Sequence, residues 1–321
     1  LIVAIREQII ACGGEIHFEH KLTDVLVEHG RIVELELNGQ QKVRVSNVIL
    51  ATGHSARDIF HLLHKRHIEV KAKPFALGVR VEHTQAFIDK LQYHGRLNDE
   101  FLPPSSYSLV TQVDGRGVYS FCMCPGGIIA PCATDEQEVV TNGWSPSKRN
   151  NPFSNSGIVV SIDPTDFSNP EHPFVCLEFQ QSIEKASWEA AGRTQKVPAQ
   201  CLKDFVQQKK STEFPRSSYQ PGIISVEMDE IFPSFVIDRL RKAFIDFDKK
   251  MPGFVTNDAV IHAPESRTSS PVLIPRDPES WQHISVSNLY PCAEGAGYAG
   301  GIVSAAIDGM NCVSKICQKE A

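Results

Sequence analysis

The chain has 321 residues, with 32 Lys and Arg against 38 Asp and Glu for a net charge of −6. At roughly 150 residues per domain this allows about two domains with cores of their own, and the acidic balance offers no field to hold nucleic acid by counterion release. With 41% hydrophobic and 22% charged residues, and no apolar run near the roughly 18 residues of a bilayer span, neither membrane insertion nor disorder is expected.

Nine cysteines are scattered from Cys12 to Cys317 with no signal-peptide pattern at the start, which reads as reduced thiols in a cytoplasmic protein. The first residue is Leu1, already inside a helical pattern, so the chain is expected to be a piece of a longer one. Ile2, Ile5, Ile9 and Cys12 recur at steps of three and four ahead of Gly13-Gly14, predicting an amphipathic helix packed on a neighbour. Strand-type runs follow at 15–19, 22–28 and 31–37, with His29-Gly30 and Asn38-Gly39 as tight turns. A fourth run, 42–50, ends in Ala51-Thr52-Gly53.

His54-Ser55-Ala56-Arg57-Asp58 then opens a helix running to His67, with Ser55 or Asp58 as its cap and Arg57 suited to pairing a phosphate or carboxylate. His61, His64 and His67 sit at three-residue steps, each about 60° short of a full turn, which suits a solvated face better than a metal. From 75 to 262 the expected strands are 75–82, 108–113, 117–122 and 157–162, and the expected helices 84–94, 180–191, 199–209 and 233–250. The last of these helices has Val236, Leu240, Phe244 and Phe247 on one face. Arg80 and Glu82 alternate with Val79 and Val81, the pattern of a charged strand face. Long loops cover 142–156 and 210–222. The chain closes with a strand at 283–289, a glycine-rich turn and a helix at 300–316, its buried face expected to be Ile302, Ala306, Gly309, Val313 and Ile316.

That turn, Glu294-Gly295-Ala296-Gly297-Tyr298-Ala299-Gly300-Gly301, is the most informative stretch. Glycines let a backbone approach a ligand closely, and free N–H groups at a helix start favour phosphate or an electron-rich ring edge. The alternative is a tight strand-to-helix turn whose glycines serve packing. Gly295 to Gly300 fits G-x-G-x-x-G by letter, but only 21 residues follow, too few for the second strand and ribose-binding acid of a dinucleotide fold. Cys122 and Cys124 precede Pro125-Gly126-Gly127, with Cys132 beyond. They are open to three readings: zinc ligands short of a set of four, a redox dithiol of less favourable spacing than C-x-x-C, or inert core thiols.

Five stretches in this order, 48–58 (VILATGHSARD), 75–82 (FALGVRVE), 121–127 (FCMCPGG), 267–271 (RTSSP) and 289–302 (LYPCAEGAGYAGGI), resemble the uncharacterised bacterial FAD-dependent dehydrogenase family, related to the two-dinucleotide-binding-domain flavoproteins. The resemblance spans nearly the whole chain and departs at Ala293, where glycine is common. It implies an α/β fold: an incomplete Rossmann-like FAD-binding domain built from 1–73 and 263–321, with an inserted mixed α+β substrate or cap domain at 74–262. The segment bearing the true G-x-G-x-x-G would precede Leu1, so this chain by itself is expected to hold FAD weakly or not at all.

The resemblance further implies that Thr52 and Gly53 line the pyrophosphate or adenosine side of FAD and that Glu294 bonds the ribityl or phosphate-proximal groups. Gly295, Gly297, Tyr298, Gly300 and Gly301 would form the turn at the flavin. Arg267, by position, is the candidate to stabilise reduced flavin or hold a substrate acid, and Cys122 or Cys124 to face the substrate. The implied activity is FAD-dependent oxidoreduction of a small molecule, with NAD(P)H as a candidate partner and no metal. A flavin-binding module without turnover and a nucleic-acid-modifying flavoenzyme are the other classes.

Overall fold

The computed structural model describes residues 1–95 and 101–320, and it is mixed α/β. It divides into two compact units, 1–70 with 274–321, and 71–273.

In the first unit α1 (Ile2–Ala11) precedes an antiparallel meander of β1 (Leu22–Glu28), β2 (Arg31–Leu37) and β3 (Gln41–Arg44). His29 and Gly30 have φ of 50° and 72°, Asn38 and Gly39 53° and 70°, the left-handed pairs whose twist suits two-residue hairpins. Residues 15–19 form no strand. There the Asn38 amide donates to the Glu19 carbonyl at 2.8 Å and its oxygen accepts from the Lys21 N–H at 2.9 Å, so side-chain bonds take the place of a ladder. The run at 42–50 breaks into β3 and β4 (Val48–Leu50) because its halves pair in different sheets. In α2 (Arg57–Lys65) neither Ser55 nor Asp58 caps the helix; Asp58 instead pairs with Lys21 Nζ at 2.9 Å. No residue of α1 is buried, contrary to the expected packed helix. Apolar periodicity specifies a face without supplying what covers it.

The second unit holds a seven-stranded sheet in the order β13-β12-β14-β6-β11-β8-β7. A short pair, β5 (Lys71–Ala72) and β15 (Val272–Leu273), lies at its two chain ends. Its strands are β6 (Phe75–Thr84), β7 (Val110–Val113), β8 (Arg116–Cys124), β11 (Phe153–Ile162), β12 (Val197–Cys201), β13 (Ile223–Ser225) and β14 (Val260–Glu265), and β9 (Ile128–Pro131) with β10 (Thr141–Trp144) forms a separate ribbon. All neighbours in the main sheet run antiparallel except β12 and β13. The helices are α3 (Gln85–Gln92), α4 (Val175–Ala190), α5 (Leu202–Val206) and α6 (Ser234–Lys250). As its periodicity predicts, α6 buries Val236, Leu240, Phe244 and Phe247 completely. The expected helix at 199–209 is instead mostly β12 and the short α5, because 197–201 is claimed by β14 on one side and β13 on the other. The chain stays in this unit past 262, since β14 runs on to Glu265 and Val272 pairs with Ala72.

Strands β6 and β11 pair over ten residues, from Phe153 opposite Thr84 to Ile162 opposite Phe75. Lying between β14 and β11, β6 is buried on both faces, so Arg80 and Glu82 are interior and do not form a charged surface. The Glu82 carboxylate accepts from Ser218 N–H at 2.9 Å and from the Ser218 hydroxyl. His83 is buried too, its Nε2 donating to the Phe254 carbonyl at 2.9 Å, and burial pushes its imidazole down to about 4. An unfolded histidine titrates near 6.5, so the unfolded state takes up a proton first. Stability is full above pH 6.5 and falls as pH drops toward 4, by about 3 kcal/mol at 1.36 kcal/mol per unit. Urea titrations should show this slope, and His83→Gln, which keeps an N–H for Phe254, should flatten it; an unchanged slope would refute the assignment.

The chain returns to the first unit with β16 (Leu289–Pro291) and α7 (Ile302–Glu320). Among the described residues of α7 Asp308 and Cys312 are buried, while Ile302 is 90% exposed and Ala306 and Val313 also face outward. This overturns the expected buried face. The helix is turned by Asp308, whose carboxylate pairs with Arg276 at 2.6 and 2.9 Å and accepts the Ala293 N–H at 2.7 Å.

Candidate functional site

Strands β4 and β16 run parallel in register, with Val48 opposite Leu289, Ile49 opposite Tyr290 and Leu50 opposite Pro291. Thr52-Gly53 and Glu294–Gly301 therefore leave the same carboxyl edge side by side, where open α/β sheets take their ligands. Gly53 adopts φ 77° and Gly297 φ 89°, left-handed conformations that favour glycine. Ala293 adopts φ 62°, so the position where this sequence departs from the family's glycine carries a side chain at a left-handed backbone, at about 1–2 kcal/mol.

The glycines of the turn divide by role. A Cβ on Gly295 would lie 2.6 Å from the Gly53 carbonyl oxygen, so Gly295 is required for the two loops to touch. A Cβ on Gly300 would meet nothing within 4 Å, and one on Gly301 only the Ser304 hydroxyl at 3.9 Å. Neither needs to be glycine for internal packing. Helix α7 starts at Ile302, and Gly300 and Gly301 are exposed just ahead of it.

Glu294 bonds His54 Nδ1 at 2.6 Å. This bond, against the opposing effect of burial, holds the carboxyl below the usual carboxylate range, so Glu294 is a fixed anion and acceptor at neutral pH. The Tyr298 hydroxyl accepts from the Arg276 N–H at 2.8 Å. The Arg276 guanidinium is stacked between the Tyr298 and Trp281 rings, 3.8 Å from each centroid, and donates to the Pro291 carbonyl at 2.9 Å. Arg276 thus ties the turn to β16 and α7. Neither His54 nor Arg276 stood out as a site residue in the sequence. His54 had the signal of following Ala-Thr-Gly, whereas Arg276 had none.

Arg267, Cys122 and Cys124 belong to the second unit. The Arg267 side chain is only 4% exposed. It donates from Nε and Nη2 to Glu184 at 2.8 and 3.0 Å, with Glu138 at 3.5 Å, and Ser266 Oγ bonds the same Glu184 carboxylate at 2.5 Å. This is the environment of an internal ion pair. Cys124 is buried and Cys122 exposed at the end of β8. Gly126 and Gly127 beside them are packing glycines: a Cβ would lie 1.8 Å from the Arg149 carbonyl oxygen and 2.5 Å from that of Trp144. Among the described residues no group of three His, Cys, Asp or Glu is placed to hold a metal, and no helix is long and apolar enough to cross a membrane.

These features define a mixed α/β protein whose first unit ends a parallel strand pair in two glycine loops beside a fixed carboxylate. The chain belongs to the family described as FAD-dependent protein, C-terminal domain-like, which matches residues 74–268. It is also 38% identical over 319 residues to an uncharacterized protein of Clostridium beijerinckii, covering 98% of this chain and 59% of that protein. The chain therefore spans about three-fifths of the length of the curated relative it matches.

Proposed function

We propose that the whole protein is an FAD-dependent oxidoreductase acting on a small organic molecule, and that Thr52–His54 and Glu294–Gly301 are this chain's contribution to holding FAD. The observation that carries the reading is the pair Gly300 and Gly301: among the described residues of this chain nothing requires glycine there, and a ligand drawn against bare backbone would. The residues present fit the group. Glu294 is a fixed acceptor for ribityl hydroxyls, His54 orients it, and Gly53 offers open backbone at the adjacent strand end. The N-terminal N–H groups of α7 supply partial positive charge where a reduced ring would carry negative charge. When bound, FAD supplies two-electron transfer; the protein supplies position and field. No residue specifies the substrate.

The test uses Gly300→Val in the full-length protein. Its side chain would enter open space, so melting should be unchanged while FAD affinity, measured by titration, falls at least about tenfold. Glu294→Ala should weaken FAD by roughly 10–100-fold, the range for hydrogen bonds to a charged group. Wild-type affinity in both variants would sink the assignment. Anaerobic reduction of the bound flavin by NADH or NADPH then separates an enzyme from a flavin carrier without turnover.

A further inference from the structure

We infer that Cys122 and Cys124 form a thiol–disulfide exchange site, with Cys122 the attacking and Cys124 the resolving sulfur, for low-molecular-weight disulfides. The sequence spacing alone argues against a disulfide: residues i and i+2 of a regular strand are about 6.6 Å apart along the chain, too far for sulfurs whose Cβ atoms must come within about 4.5 Å. The strand is not regular at this point. Asn155 pairs with Cys124 and Gly157 with Phe121, so Cys122 and Met123 stand opposite Ser156 alone, a β-bulge. Cys122 takes the left-handed conformation, φ 48°, rare and costly for a residue with a Cβ. The bend folds the Cys124 side chain back onto Cys122, with Cys124 Sγ 3.4 Å from the Cys122 carbonyl oxygen.

Accessibility is divided as the chemistry needs, Cys122 exposed and Cys124 buried. Behind them Arg80, fully buried, donates from Nη1 to the Cys122 carbonyl at 3.2 Å and to Asn155 Oδ1 at 2.8 Å. Its other edge is paired with Glu265 at 2.7 and 2.8 Å. Gly143 lets β10 lie over the cluster, since a Cβ there would come 2.1 Å from Arg80 Nη1 and 2.8 Å from Cys124 Sγ. The Cys124 hydrogen bond, with help from Arg80 and against burial and Glu265, brings the Cys122 thiol down to about 6, and Cys124 is driven up in turn.

The Cys122 thiolate attacks one sulfur of a disulfide RSSR; the S–S bond breaks and RS⁻ leaves with its electron pair. Cys124 then gives its proton to solvent and attacks the Cys122 sulfur of the mixed disulfide, expelling the second RS⁻. Two protein thiols become one Cys122–Cys124 disulfide while RSSR is reduced to two RSH.

The test uses 4,4′-dithiodipyridine on the chain carrying Cys12→Ser, Cys132→Ser and Cys317→Ser, which removes the other cysteines that are not buried. At pH 6 a thiol of pKa near 6 holds over a hundred times more thiolate than an ordinary one, offset about tenfold by its lower nucleophilicity, so Cys122 should react roughly tenfold faster than a free thiol. Two thiopyridones should be released and the protein should lose two hydrogens with no lasting adduct. Cys122→Ser, and independently Cys122→Ala, should abolish the fast phase without changing melting. Cys124→Ser should release one thiopyridone and retain the adduct. A fast phase that survives both Cys122 variants, or an adduct as durable in the parent as in Cys124→Ser, would overturn the proposal.

Discussion

Replacing Arg267 by Met is expected to cost the second unit about 3–5 kcal/mol, the loss that follows removal of one partner from a buried ion pair. Glu184 is completely buried and receives two guanidinium bonds from Arg267, and Glu138 is 8% exposed alongside. Methionine fills much of the volume but takes both guanidinium bonds from the Glu184 carboxylate. For a unit of this size, roughly 2–4 °C per kcal/mol predicts a melting point lower by about 6–20 °C. Adding Glu184→Gln should restore part of the loss, because the stranded charge goes with it. A loss under about 1 kcal/mol accompanied by abolished turnover would instead mark Arg267 as a residue of the reacting centre, as the family resemblance implies.

Arg80→Met is expected to cost as much, about 3–5 kcal/mol, and to have a second effect that Arg267→Met lacks. Arg80 satisfies both Glu265 oxygens, the Asn155 carbonyl and the Cys122 carbonyl from the middle of the sheet. Without it, the reaction of Cys122 with dithiodipyridine at pH 6 should slow, since the buried cation that bonds the Cys122 carbonyl and lowers its thiol is gone. The double variant Arg80→Met with Glu265→Met should recover most of the stability, because well-packed apolar side chains often replace a buried ion pair at little cost. It should not recover the thiol's reactivity. Stability and reactivity regained together would mean that Arg80 acts on Cys122 only by holding the fold.

Much of this was legible from local pattern. The α6 face of Val236, Leu240, Phe244 and Phe247 follows from helical spacing, and the hairpin turns at His29-Gly30 and Asn38-Gly39 follow from residues that accept positive φ. The two site loops were legible as well, since Ala51-Thr52-Gly53 and Glu294–Gly301 each follow a strand run. What local pattern lacked was partners. The apolar stripes of α1 and α7 predicted buried faces, yet Ile2 is 85% and Ile302 90% exposed. Helix α7 is oriented by the Asp308–Arg276 pair, whose members are 32 residues apart. Arg80 and Glu82 looked like a strand's outer face because alternation cannot reveal that a strand is central and covered on both sides.

The sequence by itself determined the α/β class, the turns, the α6 core face and the two glycine loops, because each depends on interactions within a few residues. Only the tertiary structure decided which glycines serve packing and which face open space, that Glu294 is held by His54 from 240 residues away, and that Arg267 is enclosed by carboxylates. It also decided that a bulge at Cys122 and Met123 lets the Cys124 side chain fold onto the Cys122 backbone. These depend on contacts between distant segments, and their free energies arise only when folding brings those segments out of water and against one another.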